Sequence, residues 1–251
     1  MSPTEWNTRS SPVSAPTSVL ERIIAILDSV RASECPASIT DIAARIGLPK
    51  STTSRLVAEL TEQRYLERTG GGVRLGLRLF ELGARASRPR LLLAAAAPVI
   101  RQLRDATGER VGLWVQQGTD MVAIAALPGR LPMLPTTAGM HSPALTTASG
   151  KAYLAFCADQ NVVDRVTAPL VDDAAQHFRE ELTRVRSSVV ATDLEGSYPG
   201  ILAVASPVFS SGRAVVGAIS LAGPSGAMDP ERFAPLVRAA GVNVSRRIAA
   251  A

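Results

Sequence analysis

The sequence predicts an α+β protein in two parts: a small helical unit closed by a strand pair, then a larger domain in which strands and helices are interleaved. Three observations carry this. At 251 residues the chain has length for about two domains. Three helical patterns and a glycine-centred strand pair fill residues 17–76. After residue 91, several short strands, most of them joined as hairpins, alternate with helical segments. A content of 46% hydrophobic and 20% charged residues is that of an ordinary globular chain and excludes a disordered one. The most apolar run, residues 91–100 (LLLAAAAPVI), is half the roughly 20 residues that a bilayer requires and contains Pro98. No membrane partner is expected.

Residues 1–16 (MSPTEWNTRSSPVSAP) read as a disordered polar lead, because no apolar core follows a charged start as in a signal peptide. Ser18 and Glu21 then have capping-box spacing, and Leu20, Ile23, Ile24, Leu27 and Val30 follow at helical intervals. This first helix stops near Glu34, Cys35 and Pro36. Thr40 is placed as the cap of a short second helix, residues 41–46, which Gly47 ends. Beyond Pro49 a third helix, residues 50–63, turns Leu56, Val57 and Leu60 inward, while its first turns are almost wholly polar. Residues 65–68 and 73–75 flank Thr69-Gly-Gly-Gly72 as a two-stranded wing. Residues 77–90 form the linker: a helix over 77–86, then Ser87-Arg-Pro-Arg90 as the hinge.

The second domain, residues 91–251, opens with a helix over 91–107 that is broken or restarted at Pro98. Strands at 110–117 and 121–127 form a hairpin. A stretch rich in proline and glycine, 129–147, lacks periodicity and is long enough that a function is expected of it. A helix over 150–157, helical segments to about 186, strands at 188–193, 201–209 and 214–222, and a last helix over 230–248 complete the domain.

Three helices and a wing make a winged helix-turn-helix, whose third helix enters the DNA major groove. Charge agrees in direction: residues 1–90 carry 13 Arg or Lys against 9 Asp or Glu, whereas 91–251 carry 14 against 13. The groove admits a helix with short polar or planar donor side chains, and Lys50, Ser51, Thr52, Thr53, Ser54 and Arg55 supply them. Ser51, Thr52 and Arg55 share one face. Arg68 and Arg74 on the wing are placed at the DNA backbone, and Thr40, the cap of the second helix, is counted among the DNA-binding residues.

With these elements in order, the sequence strongly resembles the IclR family of bacterial transcriptional regulators. The matching segments are residues 18–28 (SVLERIIAILD), 39–56 (ITDIAARIGLPKSTTSRL), 65–68 (YLER) and 73–82 (VRLGLRLFEL). In the second domain they are 148–152 (ASGKA) with 154–156 (LAF), 205–208 (ASPV) and 217–223 (GAISLAG). The resemblance implies a winged helix-turn-helix domain joined by a linker helix to a GAF-like effector domain, assembled as a homodimer or homotetramer on a double-stranded DNA operator. It places the effector pocket between the loop before Gly150 and the last three strands. The lining would be Thr147, Ala148, Ser149 and Gly150, with Asp193 and Glu195, and with Ala203, Ser220 and Ala222. The Gly150 helix start offers N–H groups to a carboxylate. Members that bind small oxoacids tend to present Cys or Ser where Ala203 and Ala222 stand, so the effector expected here is a carboxylate with an apolar body.

Two other readings compete. One is a DNA-binding regulator whose second domain only oligomerises and binds no effector. The other is a small hydrolase, for which a pair of His141 with Ser149 or Cys157 would be needed, but no G-x-S-x-G elbow occurs. Only two cysteines, Cys35 and Cys157, and two histidines, His141 and His177, are present, at no metal-ligand spacing. No cofactor or metal is expected, and the expected compartment is the cytoplasm. Lys50 and Lys151 are the only lysines. Lys151 is not a Walker lysine, because Leu145 and Ala152 occupy positions where that motif needs Gly and Ser or Thr; it is expected to pair with a carboxylate or carbonyl of its own domain.

Overall fold

The computed structural model describes residues 16–33, 35–85, 87–130 and 137–250, so the polar lead up to residue 15 lies outside the described residues. The chain divides into two compact units between Ser87 and Arg88.

In the first unit, α1 (Val19–Arg31) opens with the expected capping box: Ser18 Oγ accepts the Glu21 N–H at 3.1 Å, and Glu21 Oε2 accepts the Ser18 N–H at 3.1 Å. Helix α2 (Ile39–Ile46) is capped by Ser38 and not by Thr40. Asp41 decides this, because Ser38 Oγ accepts its N–H at 3.1 Å and donates to its Oδ2 at 2.7 Å. Helix α3 (Lys50–Glu62) follows, then the wing, β1 (Leu66–Thr69) antiparallel to β2 (Gly72–Leu75), then α4 (Leu77–Gly83). Ile26, Val30, Ile42, Leu56, Val57, Leu60, Leu66 and Val73 form one buried core, so each helix contributes the apolar face that its spacing gives it.

Helix α5 (Ser87–Thr107) opens the second unit; residues 87–90 form its first turn, and it corrects one expectation by running unbroken through Pro98. Burial of Leu92, Ala96, Val99 and Leu103 against the sheet holds it across the lost hydrogen bond. The remaining elements are β3 (Arg110–Gln117), β4 (Asp120–Leu127), β5 (His141–Pro143), α6 (Ala148–Leu154), α7 (Gln160–Thr167), α8 (Asp172–Ser188), β6 (Ala191–Leu194), β7 (Ile201–Phe209), β8 (Val215–Pro224) and α9 (Pro230–Ala249). Strand β5 lies inside the stretch expected to lack elements. The sheet order is β5-β4-β3-β8-β7-β6, with every pair antiparallel. Its two faces differ in side-chain size. Val111, Leu113, Leu202, Val204, Ile219 and Leu221 pack with residues of α5 and α9. Ala191, Ala205 and Ala218 belong to a second core with residues of α6 and α8.

Lys151 ties that second layer together. Its Nζ donates to Glu181 Oε1 on α8 at 2.8 Å and to the Thr192 carbonyl on β6 at 3.3 Å, with only 14% of the lysine side chain exposed. A charged hydrogen bond at a mostly buried site contributes roughly 1.5–3 kcal/mol. Lys151→Met is expected to lower the stability of this unit by about 1–3 kcal/mol, read as a lower urea midpoint of the Trp114 emission transition. An unchanged midpoint would make the pair ornamental.

Candidate DNA interface and effector cavity

The polar start of α3 divides by face. Lys50, Ser51 and Arg55 are exposed, Thr52 and Ser54 are half-buried, and Thr53 is fully buried. The Thr53 hydroxyl donates to the Pro49 carbonyl at 3.1 Å, so this residue belongs to the core of the unit and not to a DNA-facing surface. Its spacing to Leu56, Val57 and Leu60 is the i, i+3, i+4, i+7 pattern of an inward stripe. Pro49 provides no side-chain cap, which leaves the first N–H groups of α3 open to an anion such as a phosphate. Arg55 approaches Glu59 at 4.0 Å with both side chains mostly exposed, a pairing too weak to hold it. Thr40 is exposed on α2, and Arg68 is exposed on the wing. Arg74 stands directly opposite Glu67, and its Nε and Nη2 both reach Glu67 Oε2, at 3.1 and 2.9 Å. The other Glu67 oxygen accepts the Leu77 N–H at 3.3 Å, so Glu67 links Arg74 of the wing to the start of α4.

The second unit has a partly open cavity over the small-residue face of the sheet. Of the expected lining, Thr147, Ala148, Ser149, Asp193, Ala203, Ser220 and Ala222 surround it. Gly150 and Glu195 are not among its lining residues. The Gly150 N–H donates to the capping Thr147 Oγ1 at 3.3 Å. A Cβ at Gly150 would collide with the Ala144 backbone, so this glycine serves close packing of α6. Glu195 is exposed, and hydrogen bonds from Ser225 and from the Gly200 N–H hold its carboxyl below the usual carboxylate range. Ser149 Oγ is 3.4 Å from Thr147 Oγ1, while His141 faces Asp120 at 3.4 Å on the exposed side of β5.

Six lining residues were missed by sequence reasoning: Arg110, Trp114, Met140, Ser142, Tyr198 and Ile201. Arg110, Gly112 and Trp114 alternate along β3 and so share the cavity side of the strand. A side chain at Gly112 would strike the indole nitrogen of Trp114, which lies across that position and donates to Ser220 Oγ at 2.8 Å. The Arg110 guanidinium in turn covers the Trp114 ring, 5.5 Å from its centroid. Arg110 is only 5% exposed. Burial pulls its guanidinium down to about 10, and the nearby Tyr198 opposes the shift; it therefore remains a cation at neutral pH. The Tyr198 hydroxyl is 3.4 Å from Ser142 Oγ of β5. Together with Met140 and Thr147, Ser142 gives the proline- and glycine-rich stretch a place in the cavity wall. The cavity has a volume of about 40 Å³, several times the roughly 10–15 Å³ that one water needs.

Comparison with known proteins agrees with this architecture. Residues 19–70 match the IclR helix-turn-helix domain, and residues 88–246 match the bacterial transcriptional regulator IclR C-terminal domain. The chain is 30% identical over 240 residues to the HTH-type transcriptional repressor AllR of Klebsiella pneumoniae, covering 90% of this chain and 88% of that protein. It is 27% identical to the transcriptional repressor IclR of Escherichia coli K12, over 89% of this chain and 86% of that protein. Among solved structures, an IclR homologue from Microbacterium hydrocarbonoxydans complexed with 4-hydroxybenzoate superposes with a TM-score of 0.82 at 24% identity, covering 93% of this chain and all of that one. The Thermotoga maritima IclR gives 0.74 at 22% identity, covering 92% of this chain and 98% of that one. No helix among the described residues is long and apolar enough to cross a membrane. From the domain order, the helix-turn-helix geometry and the relatives together, the chain belongs to the IclR family, as a DNA-binding transcriptional regulator with a C-terminal effector-binding domain.

Proposed function

We propose that the protein binds a near-palindromic operator as a homodimer, through α3 and the wing, and that a small carboxylate with an apolar body, bound in the cavity, changes its operator affinity. The observation that carries this reading is a buried guanidinium, Arg110, in the wall of a cavity floored by Ala203 and Ala222. Concave ligand sites are mostly apolar with a few orienting polar groups, and this one has that make-up. The 4-hydroxybenzoate bound by the Microbacterium homologue supports a carboxylate as the ligand class. Repression is the sense carried by the names of the curated relatives. Catalysis has no support from His141, whose neighbour is Asp120 and which stands outside the cavity lining.

A homodimer is supported by apolar surface on the DNA-binding unit. Val19, Leu20 and Ile24 on α1 and Leu77 and Phe80 on α4 are all exposed, Phe80 at 72%. Exposed apolar side chains on α1 and α4 are candidates for an association surface, and a two-fold dimer reads two related half-sites. The cytoplasm is the compartment that this function requires.

DNA affinity is expected to fall steeply with salt. Lys50→Ala is expected to weaken binding to all sequences alike and to lower the salt slope by about one; an unchanged slope removes Lys50 from the phosphates. Arg55→Ala is expected to cost roughly 1–3 kcal/mol and to relax preference at one base position, measured by anisotropy against a set of single-base operator variants. Phe80→Asp is expected to shift sedimentation toward the monomer and to convert two-half-site footprints into weak ones. In calorimetric titrations, larger apolar carboxylates are expected to bind, with pyruvate and glyoxylate weak. Tight binding of either two- or three-carbon acid would overturn the apolar-body reading.

A further inference from the structure

One row of residues crosses the cavity floor on four adjacent strands. Arg110 on β3 stands opposite Ala222 on β8, Ala222 opposite Ala203 on β7, and Ala203 opposite Asp193 on β6. All four line the cavity. The row is cationic at one end and anionic at the other, and only methyl groups lie between. With neighbouring strands about 4.8 Å apart, the two ends are roughly 14 Å apart at Cα. Both ends are buried, Arg110 at 5% and Asp193 at 4% exposure.

Each end is oriented by its own neighbours. The guanidinium is laid over the Trp114 ring. Asp193 Oδ1 accepts the N–H groups of Gly196 and Ser197 at 2.8 and 3.2 Å, and its Oδ2 accepts no hydrogen bond among the described residues. Coulomb interactions in such a site are weakly screened, so the sign of each ligand end matters more than it would in water. A carboxylate near Asp193 would be repelled, as would an ammonium near Arg110. The Gly150 N–H, the other donor considered for a carboxylate, is engaged by Thr147.

We infer that the effector is a two-ended molecule whose carboxylate seats on Arg110, whose flat or compact apolar body covers Ala222 and Ala203, and whose far end carries a hydroxyl or amine that donates to Asp193. This rests on the proposed effector site and adds its polarity. Arg110 is then the residue that sets ligand orientation, and Asp193 the one that discriminates ligands at the far end.

The test uses the full-length protein carrying Trp6→Phe, so that Trp114 is the remaining indole reporter, with calorimetry in parallel. The aromatic probes are benzoate, 4-hydroxybenzoate, terephthalate and 4-hydroxybenzamide. The aliphatic probes are cyclohexanecarboxylate and its trans-4-hydroxy derivative. In at least one of the two series the hydroxy acid is expected to bind about tenfold or more tightly than its parent acid. Terephthalate, with a second carboxylate toward Asp193, is expected to bind more weakly than 4-hydroxybenzoate by a similar factor, and the neutral amide is expected to bind weakly. Arg110→Met is expected to weaken the hydroxy acids on the order of a hundredfold and the amide much less, with circular dichroism confirming the fold. Asp193→Asn is expected to shrink the preference for 4-hydroxybenzoate over terephthalate toward unity. If carboxylates bind but Arg110→Met leaves their affinity within threefold, or if terephthalate matches 4-hydroxybenzoate, the polarity is overturned and the effector reading stands. If no carboxylate of these series, nor of the set titrated for the proposed function, binds, both fall.

Discussion

The alternation of large and small side chains along β7 and β8 is the constraint from which the second unit follows. Leu202, Val204, Ile219 and Leu221 point to the side of α5 and α9, and Ala203, Ala205, Ala218, Ser220 and Ala222 point to the other. Because strand side chains alternate with period two, one register sets both faces at once. Bulk on the first face fills the layer between sheet and helices at core density. Lack of bulk on the second leaves the space that becomes the cavity. A slip of one residue would carry Leu221 and Val204 into that space and leave alanine methyls against α5, so packing on the helix side fixes where the ligand-sized gap occurs.

Within that gap the geometry is set by the i, i+2, i+4 series on β3. Gly112 removes the side chain that would occupy the middle position, and Trp114 lies over it. The hydrogen bond from the indole to Ser220 fixes the ring, and the ring fixes the plane over which Arg110 lies. A buried guanidinium is costly unless it meets compensating groups, and here the Trp114 ring lies under it with Tyr198 nearby. Both polar ends of the floor are therefore placed by backbone register and local contacts, independently of each other, and their separation is a property of the sheet.

Much of this organisation was legible in the chain. Capping spacing at Ser18 and Glu21, the inward stripe of α3 and the glycines of the wing each express a local rule, and local rules survive folding. What escaped had a tertiary cause. Ser38 and Thr40 are both able to cap α2, and the choice fell to Asp41, whose N–H and carboxylate both bind the Ser38 hydroxyl. Pro98 reads as a break, yet the apolar face on either side of it is buried on the sheet. Strand β5 is three residues long and owes its pairing to β4. Thr53 was legible from its spacing to Leu56, Val57 and Leu60, but its polarity pointed to the surface. Arg110 reads as the charged end of an apolar strand. Only the register opposite Ala222, which a single sequence does not contain, puts it in one row with Asp193, at the opposite end.

The same strand also carries the physical route by which a ligand could matter to DNA binding. Arg110 and Trp114 face the cavity, while Val111 and Leu113, their immediate neighbours, sit in the cluster that includes Leu92, Ala96, Val99 and Leu103 of α5. Helix α5 begins at Ser87, where the DNA-binding unit ends in the sequence. A ligand shifts an equilibrium only by its difference in affinity for the two states, and typical couplings of about 1–3 kcal/mol change affinity roughly 5- to 150-fold. A difference of that size does not need a large rearrangement. It needs only that the position of β3 with the Arg110 end of the cavity filled differs from its position with that end empty, because a strand packed on α5 at core density cannot move without the helix moving too. The side-chain alternation that creates the cavity thus also sets the cavity-lining Arg110 and Trp114 next in the chain to Val111 and Leu113, which pack with α5.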